Sequence, residues 1–166
     1  DQLKTRIGIN TGIALIGNFG SSDRFNYTAV GDNVNLASRL EGLNKLYGSE
    51  IIVSESTVSD AGNSFIFRPL DLVAVKGRQK SVKIFQLLGR KDSPDAEKME
   101  HLADMAEKAL NSYLNRNWRE SYEQFQEILE IQPEDAAAEM YLTRCRELHD
   151  RPPGTDWDGV FRIQHK

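Results

Sequence analysis

The chain has one cysteine, Cys145, three histidines, and no apolar run of transmembrane length in 166 residues. A single thiol excludes an intrachain disulfide framework and fits a reducing compartment. His101, His149 and His165 have no cysteine or carboxylate neighbours at metal-site spacing, so they read as solvated positions and no metal ligand is assigned to the chain. A bilayer-spanning helix needs about 20 apolar residues, and neither that nor a signal sequence is present, so this portion is expected to make no membrane contact. What is present suffices for a packed fold: 39% hydrophobic residues can build a core, and 28% charged residues with that core argue against disorder.

Charge is divided along the chain. Residues 1–92 hold twelve Lys/Arg against nine Asp/Glu, whereas residues 93–166 hold nine against sixteen. The first part suits a polyanionic small molecule; the second suits neither nucleic acid nor an anionic membrane. The break falls near Lys91–Pro94 and divides the chain into 1–92, a helical segment at 93–150 and a tail at 151–166.

Periodicity separates the two larger parts. Leu3–Ile9, Ile13–Phe19, Glu50–Val53, Phe65–Val75 and Val82–Leu88 read as strands, with a turn at Asn10–Gly12 and a basic hairpin at Lys76–Lys80. Residues 32–46 read as a helix ending at Gly48, and Ser54 can cap a short helix through Ala61. Strands alternating with helices imply an α/β layered sandwich. From Ser93–Pro94, read as a cap and first helical residue, the pattern is all-α, with a stripe of Met99, Leu102, Ala103, Ala106, Leu110 and Leu114. A turn at Asn115–Asn117 and Pro133 divide it into three helices, the last over about Asp135–His149. Trp118, Ser121, Phe125, Ile128 and Pro133 resemble the aromatic, small and proline positions of a tetratricopeptide repeat, with Arg116 near the usual glycine. So short a repeat segment must dock on its own chain or on a protein partner. In the tail, Trp157, Val160, Phe161 and Ile163 can anchor it.

The most informative stretch is Tyr27-Thr-Ala-Val-Gly-Asp-Asn-Val-Asn-Leu-Ala-Ser-Arg-Leu-Glu41. A short β-prone run reaches Gly31, Asp32 can cap the following helix, and Leu36, Leu40, Leu43 and Tyr47 mark its buried side. Asn35 and Arg39 lie one turn apart away from that side, an amide and a guanidinium able to grip a phosphate.

This stretch resembles the Gly-(Asp/Asn)-x-Val-Asn-x-Ala-x-Arg signature of the class III nucleotidyl cyclases. The resemblance covers about residues 4–90: Arg6–Gly20 is similar to the family's glycine-punctuated hairpin, Arg24–Thr28 to the strand entering the base pocket, and Val75-Lys-Gly77 to the triphosphate-contacting loop. It implies a ferredoxin-like cyclase core, present here as its C-terminal half, from an enzyme that turns ATP into 3′,5′-cyclic AMP and pyrophosphate. It further implies that Arg39 stabilises the transferring phosphoryl group, Asn35 orients the ribose, Lys76 contacts the terminal phosphates and Thr28 faces the base. Thr at position 28 favours adenine; guanine stays open, since a hydroxyl both donates and accepts.

The family also uses two Mg2+ or Mn2+ ions held by aspartates in a Phe-x-Asp-(Ile/Leu)-x-Gly-Phe-Thr block and a later Gly-Asp turn. Neither block occurs here, and Gly31-Asp32 already serves as a helix entry. The resemblance therefore implies that the metal ligands lie upstream, that each site is shared across a homodimer, and that the fragment does not turn over alone. It places this portion in the cytoplasm, with the parent either soluble or anchored in the bacterial inner membrane by an upstream region. Two other readings stand beside the enzyme: an inactive cyclase-like nucleotide-binding or dimerisation module, and a protein-interaction unit centred on the helical segment.

Overall fold

The computed structural model describes residues 5–21, 24–74 and 81–162. Among the described residues seven strands and five α-helices follow one another as β1 (Ile7–Ile9), β2 (Leu15–Ser21), β3 (Arg24–Val30), α1 (Asp32–Tyr47), β4 (Ile51–Ser54), α2 (Glu55–Ala61), β5 (Phe65–Ala74), β6 (Val82–Arg90), α3 (Ala96–Leu114), α4 (Trp118–Ile131), α5 (Ala136–Asp150) and β7 (Phe161–Arg162). Five strands form a mixed sheet in the order β1-β4-β6-β5-β7, while β2 and β3 form a separate antiparallel ribbon. The fold is thus an α/β layered core followed by three helices, as the periodicity implied.

The Arg6–Gly20 segment is not a hairpin. β1 pairs in parallel with β4, and β2 pairs instead with β3, placing Gly17 opposite Thr28. The Asn10–Gly12 turn is held by side chains: Thr57 Oγ1 accepts from the Thr11 amide at 2.9 Å, and Asn33 Nδ2 donates to Ile13 O at 2.9 Å. These bonds pull the chain towards α1 and α2 rather than back along β1.

Helix α1 lies directly on β1, because a Cβ at Gly8 would fall 2.1 Å from Ala37 O. Its apolar side, Leu36, Leu40, Leu43 and Tyr47, packs with Ile52, Leu70, Val73, Ile84 and Ala137 into one core. Asn44 is buried on the same side, its amide donating to Ile7 O at 2.9 Å and accepting from Ser49 Oγ at 2.8 Å. The helix ends at Gly48 in the left-handed conformation, as expected.

Two expected caps differ. Asp32 makes no capping bond, because Gly31 at φ 136° takes the N-cap position and its carbonyl accepts from the Val34 and Asn35 amides. Ser93-Pro94 belongs to turns leading off β6, and α3 begins at Ala96. Ser54 does cap α2, accepting from the Thr57 amide.

The three helices build a second core around Leu102, Ala106, Leu110, Phe125, Ile128, Tyr141 and Cys145. Ser121 lets α3 and α4 approach, donating to Ala109 O at 2.9 Å. Arg116 is the one non-glycine residue at positive φ among the described residues, at 65°, so it occupies the left-handed turn normally left to glycine. The helices dock on their own chain. Arg68 forms a bidentate buried ion pair with Asp135, the N-cap of α5, and Tyr141 Oη donates to Leu70 O at 2.9 Å. The tail follows: Trp157 meets Tyr113 edge-on at 5.5 Å, and β7 adds in parallel to the outer edge of β5. Ile163 lies outside the described residues.

Cys145 is buried, and that burial pushes its thiol pKa up. Thiol reagents at neutral pH should label it at least about 100-fold more slowly in native than in denatured protein. Rapid native labelling, read by mass spectrometry, would place it outside the core.

Candidate functional site

Three expected site residues lie on consecutive elements. Thr28 is exposed on β3, Asn35 is exposed in the first turn of α1, and Arg39 is half-buried one turn further on. Gly31 joins β3 to α1, so strand and helix are set by a single residue with backbone freedom. The buried leucines fix which way α1 faces, leaving Asn35 and Arg39 off the packed side. Lys76 lies outside the described residues; β5 runs to Ala74, two positions before it.

The support of the site is more polar than the sequence revealed. Asn10 Nδ2 lies 3.2 Å from both Asn33 O and Asn33 Oδ1, clamping the loop after β1 to the head of α1. Ser56 Oγ donates to Thr11 O at 2.9 Å, adding α2 to the clamp. Gly12 leaves room for Asn33, whose amide would lie 2.3 Å from an added Cβ. The Asn-Thr-Gly sequence carried this signal, although it reads equally as a tight turn.

An amide and a guanidinium at this spacing can hold a phosphoryl group, and the fixed positive charge can meet developing negative charge. A metal site is another matter. Among the described residues no group of three or more His, Cys, Asp or Glu is placed to hold an ion, and Asp32 is exposed with no such set around it. The described residues do not fit a metal centre, so no chemical step is placed on one.

Beside this site the surface is apolar. Ile13 is 89% exposed, Tyr27 77% and Leu15 68%, with Ile16 and Phe25 also exposed on or next to the β2–β3 ribbon. Strand β1 has a single neighbour, β4, among the described residues. Apolar faces and strand edges of this kind are surfaces on which other groups can pack. No helix among the described residues is long and apolar enough to cross a membrane.

Comparison with known proteins agrees with the signature. Adenylate cyclase 1 of Rhizobium meliloti is 43% identical over 88 residues, which is 53% of this chain and 13% of that protein. The terminal-differentiation-specific adenylate cyclase of Dictyostelium discoideum is 36% identical over 148 residues, 87% of this chain and 7% of that protein, so the similarity reaches into the helical segment. The crystal structure of the adenylyl cyclase CyaB from P. aeruginosa is 42% identical, with a TM-score of 0.44 over 50% of this chain and 41% of that one. The chain thus spans a small part of these curated relatives. Residues 1–89 match the family described as the adenylate and guanylate cyclase catalytic domain, and the chain belongs to that family.

Proposed function

We propose that this chain is part of an adenylate cyclase, to which it contributes the phosphoryl-binding helix and the base-facing strand of the site. The observation that carries this reading is the placement of Asn35 and Arg39 one turn apart on α1, beside rather than among its core leucines, directly after the strand bearing Thr28. In the reaction the ribose 3′-hydroxyl releases its proton to water as its oxygen bonds to the α-phosphorus, the bond from that phosphorus to the oxygen bridging the β-phosphate breaks, and pyrophosphate leaves with that oxygen. Charge gathers on the phosphoryl oxygens as this occurs, so Arg39 binds the transition state better than the ground state. Asn35 orients the ribose, Lys76 meets the terminal phosphates, and Thr28 hydrogen-bonds the adenine. That two similar proteins are named adenylate cyclases favours ATP over GTP.

The exposed apolar ribbon and the open edge of β1 support completion of the site by more protein: the rest of the catalytic domain and a second protomer. Mg2+ or Mn2+ would then be held outside this chain, and the chain alone would not turn over. Residues 93–150 act as a docked helical segment in this reading, and the whole portion is cytoplasmic. The test is to incubate the complete protein with ATP or GTP and separate the products. Cyclic AMP formed at least about ten times faster than cyclic GMP is expected. Cyclic GMP as the main product would move the assignment to a guanylate cyclase, and no cyclic nucleotide would favour the binding module.

A further inference from the structure

Helix α1 is gripped at the end opposite its phosphate-facing residues by a buried ion pair that the proposed reaction does not use. Asp71, fully buried on β5, accepts from Tyr47 Oη at 2.7 Å and from Arg144 Nη1 at 2.6 Å on the same oxygen. Its other oxygen accepts from the Leu72 amide at 2.7 Å. Tyr47 is the last residue of α1, and Arg144 stands on α5, so one carboxylate joins the cyclase helix, the sheet and the helical segment. The Arg144 guanidinium also lies over the Phe161 ring of β7 at 4.1 Å and over Tyr141 at 5.1 Å. Burial, then the neighbouring Asp71, pushes the Tyr47 hydroxyl pKa up, so it stays a donor at neutral pH. Burial works against the Arg144 charge, but Asp71 together with Tyr141 and Tyr47 more than offsets it, so the Arg144 pKa is pushed up and it stays charged.

The arrangement is built rather than incidental. The register of β5 against β6 shifts between Pro69 and Asp71, an irregularity of the kind that re-aims the next side chain, and Leu70 and Asp71 are both buried there. A buried ion pair adds little stability over an apolar filling of the same volume, so its distinctive product is defined geometry. What it defines is the rotation of α1 about its own axis. A roll of about 10° moves a side-chain end about 6 Å from the axis by about 1 Å. Misplacement of about 1 Å at a reacting phosphorus can cost on the order of a hundredfold in rate.

We propose that Asp71 and Arg144, acting through Tyr47, are positioning residues that set the roll of α1, so that the helical segment governs the aim of Asn35 and Arg39. This rests on the cyclase reading for its effect on turnover. A built-in control exists, because Arg68–Asp135 also joins β5 to α5 through a buried ion pair, yet its hydrogen bonds run to Ala138 on α5 rather than to α1.

The experiment compares three forms of the complete enzyme with the parent: Tyr47→Phe, which removes only the linking hydroxyl; Asp71→Asn with Arg144→Met; and Arg68→Met with Asp135→Asn. The first should lower kcat about threefold and the second about tenfold or more, with KM for ATP within about twofold. The control pair should leave kcat within about twofold even where its melting temperature falls as far as that of the second form. Independently of activity, hydrogen exchange of the α1 amides from Leu43 to Gly48 should quicken at least about fivefold in the first two forms only. Unchanged exchange and kcat in Tyr47→Phe and the Asp71/Arg144 form, or an equal loss in the control pair, would overturn the proposal. If the parent makes no cyclic nucleotide the function fails, while faster α1 exchange in the first two forms alone would still support the positioning link.

Discussion

Arg39→Ala in the complete enzyme is expected to lower turnover about a hundredfold while leaving ATP affinity nearly unchanged. Arg39 stands one helical turn from Asn35, while the residues that seat the helix in the core are Leu36, Leu40, Leu43 and Tyr47. Loss of one preorganised donor to developing oxyanion charge costs roughly 3 kcal/mol of transition-state stabilisation in well-studied enzymes. Because that charge is smaller in the ground state, the cost should appear in kcat rather than in binding. Arg39→Lys keeps the charge and loses the planar fork, and should recover only part of the rate. Steady-state kinetics with a nucleotide-binding titration decide the matter: a raised dissociation constant with unchanged kcat would make Arg39 a ground-state anchor.

Asp135→Ala should be the most damaging single change outside the site. Its carboxylate accepts from both terminal nitrogens of Arg68 and from the Ala138 amide at 2.8 Å, and both side chains of the pair are only 4% exposed. Truncation strands a buried guanidinium without its counter-charge, a loss of about 3–5 kcal/mol. It also removes the N-cap of α5, worth about 1 kcal/mol. Hydrogen exchange of the α5 amides in the complete protein should therefore speed up at least about a hundredfold. Exchange within about threefold of the parent would mean that water or another side chain reaches Arg68. Asp158→Ala is the natural contrast: its partner Arg162 is 65% exposed, so the α5 amides should not register the change.

The placement of the candidate site residues in the fold could be read from the sequence because it is local. Thr28, Gly31, Asn35 and Arg39 fall within twelve consecutive residues, and the leucine spacing of α1 fixes which side is packed. The helical segment was legible for the same reason, down to Arg116, which takes the left-handed turn at the place where a glycine was expected nearby. The polar core was not legible. Nothing local marks Asn44 or Asp71 as buried, because their partners lie far off in the chain: Ile7, the acceptor of the Asn44 amide, is 37 positions away, and Arg144, which pairs with Asp71, is 73 positions away. Docking of the helices also uses two ion pairs that no local pattern marks, because β5 presents Arg68 and Asp71 to α5. Pairing of β2 with β3 rather than β1 was hidden as well, since the bonds that draw the Asn10–Gly12 turn aside come from α1 and α2.

On the proposed reading this chain lends its Asn35/Arg39 helix to a site completed by another protomer. Complete protein carrying Arg39→Ala should be mixed with complete protein whose own α1 is intact but whose upstream metal-binding half has been inactivated, and cyclic AMP formation followed across the titration. Each preparation alone should be nearly inactive, and equal mixing of exchanging dimers should restore about a quarter of the wild-type sites. Activity that stays at the sum of the two separate preparations, with exchange of protomers verified by mass, would contradict a shared site.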